Sequence, residues 1–338
     1  MPYTAGETPA VQMKTRQLLP QIVLLRAIAS LAVCFFHLAC GNPGLFPQAN
    51  ILKQVSGYGY LGVPMFFIIS GFIICYAMPE HYGIRDFKTF AAKRIVRIDP
   101  PYLASIALTI LLFYVSAPFN HYDFHFSAKD LLYHVSYLNN FNLGTYYSPV
   151  YWTLGIEFQF YLLIGLLYPY LARSETSIAA GILLLSLACF LPAGNFKVIL
   201  TYLPIFGAGI AAYFYLTKKA LRIPVYLFVQ ACCLALISLS GLPTLLTCLL
   251  TLLLIHFWRS DHRIIRFFSR ISYSLYLTHP LIGGRCVNLG LRFCHNQPQR
   301  YLLFLAALLI SLAFAYAFER FVEKPFFRLA RNIRYNRP

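Results

Sequence analysis

The chain has 338 residues, 59% hydrophobic and only 12% charged, whereas a soluble domain usually carries about a quarter charged residues. Several apolar runs reach the ~20 residues that cross a bilayer, so the class is a polytopic membrane protein, all-α. The net charge of +17 does not indicate nucleic acid: Lys and Arg gather in short segments between apolar runs, as they do when they set membrane orientation.

In chain order the apolar runs predict about ten spans, at 19–40, 60–78, 99–118, 151–171, 176–193, 198–216, 223–240, 242–258, 271–290 and 301–321. The even-numbered connections hold Arg85, Lys88, Lys93, Arg94, Arg97, Arg173, Lys218, Lys219, Arg222, Arg259, Arg263, Arg266 and Arg270. The tails add Lys14 and Arg16 in front, and Lys324, Arg328, Arg331, Arg334 and Arg337 behind. The other side holds Lys53, Lys129, Lys197, Arg292 and Arg300. This asymmetry predicts both termini in the cytoplasm. The expected organisation is a tail over 1–18, a membrane domain over 19–322 and a basic tail over 323–338. The first apolar run is too long for a cleaved signal peptide. The nine cysteines show no C-x-x-C pair and no zinc spacing, so they read as small apolar helix residues and no metal is expected. The outside loop 119–150 is rich in Tyr, His and Asn, which suits the membrane interface or a sugar.

Three stretches carry chemistry. "LLRAIASLAVCFFHLAC" puts Arg26 and His37 in one apolar run, eleven residues apart. That is about three helical turns, so both lie on one face, separated by roughly 16 Å. Arg26 falls in the cytoplasmic part and His37 near the outer end. Each alone can snorkel or take a backbone partner; two on one face suggest an internal, functional face. "YWTLGIEFQFYLLIGLLYPY" carries Glu157, the acid placed well inside a predicted span. It lies at a depth comparable to His37, and a His–carboxylate pair there makes a general base; a structural hydrogen bond between helices is the plainer alternative. Gln159 and Tyr161 are nearby polar groups, and Trp152 is a belt residue or part of a site wall. In "FAAKRIVRIDPPY", Arg94 and Arg97 share a helix face and suit bidentate phosphate contacts, whereas Lys93 reads as positive-inside charge. Pro100 and Pro101 are expected to fix where the third span begins. His279, before Pro280, either lines a cavity or satisfies groups freed by the proline. The residues thus form a cytoplasmic cationic layer and an outer His/Glu layer, which fit catalysis or transport equally.

The chain resembles the bacterial acyltransferase type 3 family of integral-membrane O-acyltransferases. "RAIASLAVCFFH" resembles the family's Arg-x10-His, "GYLGVPMFFIISGFII" its second-helix block, "KRIVRIDPPY" its Arg-x-x-Arg block and "YWTLGIEFQFYLLIGLLYP" its Trp–Glu–x–Gln block. "ISYSLYLTHPL" and "VEKPF" resemble its C-terminal signatures. One departure is Pro64, where the family commonly has an acid. The resemblance implies transfer of an acyl group, usually acetyl from acetyl-CoA or another acyl-CoA, to a hydroxyl of a carbohydrate acceptor (polysaccharide, glycolipid or related metabolite) in the bacterial inner membrane. By that resemblance His37 and Glu157 are catalytic, Arg26, Arg94 and Arg97 bind the donor, and Trp152, Gln159, Tyr161 and His279 face the substrate. Direct transfer with His37 as base and a transient acyl-histidine both remain open. So do a transporter or flippase of an anionic glycoconjugate and, through Pro64, a degenerate accessory subunit.

Overall fold

The structure, a computed structural model, describes residues 19–120 and 126–335; the expected 1–18 tail with Lys14 and Arg16, the loop residues His121 and His125, and Arg337 lie outside the described residues. Every regular element among the described residues is helical. In chain order they are α1 (Pro20–Cys40), α2 (Ile51–Gly57), α3 (Gly62–Ala77), α4 (Phe87–Asn120), α5 (Ala128–Val135), α6 (Tyr151–Leu171), α7 (Glu175–Leu187), α8 (Leu203–Leu216), α9 (Ile223–Ile237), α10 (Leu242–Phe257), α11 (Arg263–Gly290), α12 (Gln297–Phe318) and α13 (Lys324–Asn332). A π-helical turn, Glu319–Glu323, joins α12 to α13.

All ten expected spans fall on helices. Among the described residues seven helical segments are long and apolar enough to cross a membrane, α7 and α10 lie in shorter apolar helices, and α11 is diluted by Arg263, Arg266, Arg270 and Arg285 and by its polar SYS and TH steps. The chain is therefore a multi-pass membrane protein. Helices α1, α3 and α8 are buried over much of their length because they form the centre: α1 packs on α11 and α3, α3 on α8, and α11 on α12. Gly71 of α3 and Gly209 of α8 make the central contact possible. A Cβ on Gly71 would collide with the Phe206 carbonyl oxygen, and one on Gly209 with that of Ile68, the small-residue packing that brings membrane helices close.

One expected boundary is corrected. Pro100 and Pro101 do not begin a span; they lie inside α4, which starts twelve residues before Asp99, at Phe87. Prolines are tolerated inside a membrane helix that is packed among neighbours, and α11 packs on α4 here, with Tyr273 Oη donating to Ile98 O (2.8 Å). Asp99 thereby falls in the interior of a long helix, and its carboxylate accepts from Tyr137 Oη (2.9 Å).

Candidate active site

A cavity of about 960 Å³, part of it open to solvent, runs between α1, α3, α4, α6, α11 and the π-turn. Its wall is mostly apolar, with Arg26, Arg94, Arg97, Glu157, Tyr161, Ser272, Tyr273, Tyr276 and Glu323 among its lining residues. Five of the residues singled out in the sequence thus meet in one place, brought there by three different helices.

Helix α11 organises much of this wall. Ser272 Oγ accepts from Arg26 Nε (3.2 Å) and Nη2 (2.9 Å) and donates to Ser269 O (2.8 Å). Two residues on, Ser274 Oγ donates to Glu323 Oε2 (2.6 Å). Glu323 belongs to the π-turn, an irregularity of the kind that often accompanies functional sites. On the opposite side Glu157 Oε1 accepts from Ser70 Oγ (2.7 Å) and from Tyr161 Oη. The two carboxylates are therefore held by hydroxyls and not by arginines. The three ion pairs among the described residues are Arg222–Glu175, Arg266–Asp261 and Arg270–Glu319, none of them in the cavity. Arg94 lies over the rings of Phe90 (5.3 Å) and Tyr161 (5.8 Å), and its buried Nε has no hydrogen-bond partner. Arg97 lies over Phe327 of α13 (5.1 Å). Cations at this depth without a carboxylate partner favour an anion arriving from outside the chain. Lys93 is not in the wall; its Nζ caps the end of α13 through Ala330 O (3.2 Å) and Ile333 O.

The expected pair of His37 with Glu157 is not formed. Glu157 is turned into the cavity by Ser70 and Tyr161, while His37 meets His279: Nδ1 of His37 is 3.1 Å from Nε2 of His279 and 3.1 Å from Val33 O. The carbonyls fix the tautomers. His279 Nδ1 faces Leu275 O at 2.7 Å, and a carbonyl only accepts, so Nδ1 carries the proton and Nε2 is an acceptor in the neutral ring. His37 Nδ1 must then be the donor to both Val33 O and His279 Nε2. The lone pair of His37 is left on Nε2, the form a general base requires. His279, fully buried, thus orients His37, the part expected of the carboxylate.

Neither histidine lines the cavity. The link between them and its wall is Tyr276, one turn before His279 on α11, with ring centroids 6.3 Å apart; those of His279 and His37 are 5.1 Å apart. The remaining two candidates lie elsewhere. Trp152 packs near Tyr202 (5.9 Å) and under Lys197 (5.6 Å). Gln159 Oε1 accepts from Ile199 N (2.9 Å). Pro64 is buried on α3 outside the cavity wall. Sequence reasoning missed Ser70, Ser272, Ser274 and Glu323; the available signal was their place within the second-helix, "ISYSLYLTHPL" and "VEKPF" blocks.

The family model of the acyltransferase domain (Acyl_transf_3) matches residues 19–320. Among curated proteins, the chain is 29% identical over 204 residues to "Putative acetyltransferase ORF330" of Acidianus two-tailed virus, covering 57% of each chain. It is 30% identical over 190 residues to "Putative peptidoglycan O-acetyltransferase YrhL" of Bacillus subtilis, covering 50% of this chain and 27% of that one. It is 29% identical over 174 residues to "Putative O-acetyltransferase SACOL0978" of Staphylococcus aureus, covering 44% and 24%. The match thus spans between 24% and 57% of the length of these relatives. No solved structure matches significantly. With a match that takes in both histidines, every cavity residue but Glu323 and nearly the whole helical bundle, the chain belongs to the acyltransferase type 3 family.

Proposed function

We propose that this protein is a membrane O-acyltransferase that moves an acyl group, acetyl by preference, from acyl-CoA to a hydroxyl of a cell-surface or exported carbohydrate. The observation that carries the reading is the division of one site into two ends: three guanidiniums without ion-pair partners in the cavity, and beyond Tyr276 a histidine whose tautomer leaves Nε2 free. Arg26, Arg94 and Arg97 take the phosphates of the donor. Glu157 and Glu323 sit among them as fixed acceptors. His37 Nε2 removes the proton from the acceptor hydroxyl, whose oxygen attacks the thioester carbonyl, and returns it to the departing thiolate. We place the arginine end and both termini on the cytoplasmic side of a bacterial inner membrane crossed about ten times, on the charge asymmetry of the connections. The name of the Bacillus subtilis relative, a putative peptidoglycan O-acetyltransferase, supports a surface glycan as acceptor.

Membranes containing the chain, given radiolabelled acetyl-CoA and the envelope glycans of the same cells, test the proposal. Labelled O-acetyl groups on glycan are expected with the wild type and not with His37→Ala. Full glycan acetylation in the His37→Ala strain, together with no acyl-CoA binding by the purified protein, overturns it. Protein-bound label formed without acceptor, absent from His37→Ala and released when acceptor is added, would place the acyl group on His37 Nε2 as an intermediate. The degenerate-subunit alternative finds no support in Pro64, which is not among the groups facing the cavity.

A further inference from the structure

Acyl transfer needs, besides a base, a donor for the charge that develops on the thioester carbonyl oxygen. The hydroxyls lining the cavity can be sorted by where their protons go. Ser70 and Tyr161 donate to Glu157, Ser272 to Ser269 O and Tyr273 to Ile98 O. Arg26 lies roughly 16 Å along α1 from His37. Arg94 and Arg97 sit with Phe90 and with Phe327 of α13. The hydroxyls at the histidine end are Thr153 and Tyr276. Thr153 Oγ1 donates to Val150 O (2.9 Å), while Tyr276 Oη lies 2.6 Å from Thr153 Oγ1 and 3.3 Å from the same carbonyl. Tyr276 is therefore the lining hydroxyl whose proton is shared between another hydroxyl and a carbonyl that Thr153 already serves. It can turn to a ligand while Val150 O keeps its bond from Thr153 Oγ1, and the Thr153 contact holds the phenol in place. Its ring is held edge-on to Phe66 (5.7 Å), one helical turn from His279.

We propose that Tyr276, backed by Thr153, is the oxyanion donor of the acyl transfer, a role that rests on the acyltransferase reading above. The acceptor oxygen bonds to the thioester carbon as its proton passes to His37 Nε2. The carbonyl π electrons move onto oxygen, where the Tyr276 O–H receives them. Collapse re-forms the C=O bond, breaks the C–S bond and sends the His37 proton to sulfur, giving an ester and CoA thiol.

The test needs no acceptor. The full chain in lipid nanodiscs is loaded with acetyl-CoA carrying 13C at the thioester carbonyl, and isotope-edited infrared difference spectra follow its C=O stretch. The band is expected at lower frequency in the wild type than in solution, unshifted in Tyr276→Phe with acetyl-CoA affinity retained, and still shifted in His37→Ala. Tyr276→3-fluorotyrosine, a more acidic phenol of nearly the same shape, deepens the shift and serves where the Phe variant does not fold. A solution-like band in the wild type, a shift that survives in Tyr276→Phe, or one unchanged by fluorination overturns the oxyanion role and leaves the acyltransferase reading standing. No acetyl-CoA binding by the folded wild type removes both.

Discussion

The cavity and the cluster around Asn140 are both built from polar side chains among apolar helices, and they use them in opposite ways. Asn140 Nδ2 donates to Trp152 O (3.0 Å) and Lys197 O (2.7 Å), its Oδ1 accepts from Tyr146 Oη (2.8 Å), and its own carbonyl accepts from Lys197 N (2.8 Å). Lys197 covers the rings of Tyr146 (4.9 Å) and Trp152 (5.6 Å). Single neutral atoms such as Gln159 Nε2 and Asn139 Oδ1 lack partners there, but its charged and multivalent groups are committed to the chain itself. In the cavity whole guanidiniums are left without a carboxylate. The contrast teaches where to look for a ligand: a structural cluster closes on itself, and a binding site keeps its strongest donors uncommitted.

The comparison is sharpest if the two regions respond to mutation in different currencies. His37→Ala should lower acyl transfer by about 10²–10⁴-fold, the usual worth of a positioned base, with the thermal midpoint in detergent unchanged. A variant that keeps its rate removes His37 from the chemistry. Asn140→Ala should do the reverse. It leaves two carbonyls and a phenol without their partner, each worth about 1–3 kcal/mol when buried, so thermal unfolding should show a loss of a few kcal/mol while activity per folded molecule is retained. Arg94→Gln comes next. Losing one charge-assisted contact to phosphate, about 1.5–3 kcal/mol, weakens acyl-CoA binding by roughly 10–100-fold. Because Arg94 has no carboxylate partner to leave behind, stability should hold or rise. Calorimetric titration with CoA separates this from a general loss of fold.

Much of this site was legible in the sequence because charges in apolar runs are rare and must be explained. Arg26 and Glu157 stood out on that ground, Arg94 and Arg97 by their spacing on one helix face, and the four converge. What periodicity cannot supply is which partner a buried group takes. Depth alone paired His37 with Glu157, but the carboxylate is captured by hydroxyls from α3 and its own helix, and the imidazole by a second imidazole. Trp152 and Gln159 share the Glu157 helix and its signature block, yet they face the Asn140 side, a distinction of rotation about α6 that the motif does not carry. Serines were invisible for a different reason: Ser70, Ser272 and Ser274 are ordinary small residues of packed membrane helices until a neighbour shows that they hold a charge. The early start of α4 was hidden by Pro100 and Pro101, which end helices in water more readily than among helices that supply donors.

The smallest effect concerns the Asn140 region alone. His134 of α5 is buried between Asp130 O, 2.8 Å from its Nδ1, and the amide of Tyr147, which donates to its Nε2 at 3.0 Å; the Tyr147 ring stacks on it at 4.2 Å. Burial holds its pKa below the ordinary histidine value, opposed by the nearby Asp130; the other titratable groups facing it are the phenols of Tyr146, Tyr147 and Tyr151. The folded pKa therefore lies below the unfolded one. The stabilising contribution is complete above about pH 6.5 and is lost as the pH falls through that value and then through the folded pKa, where a proton on Nε2 would oppose the Tyr147 N–H. Hydrogen exchange at the Tyr147 amide, corrected for its intrinsic pH dependence, should quicken below about pH 6 while amides in the cavity helices stay protected. Equal protection of Tyr147 at pH 7.5 and 5 would show that the Asn140 cluster tolerates the charge, and the line between a self-satisfied cluster and an uncommitted site would then have to be drawn at the arginines alone.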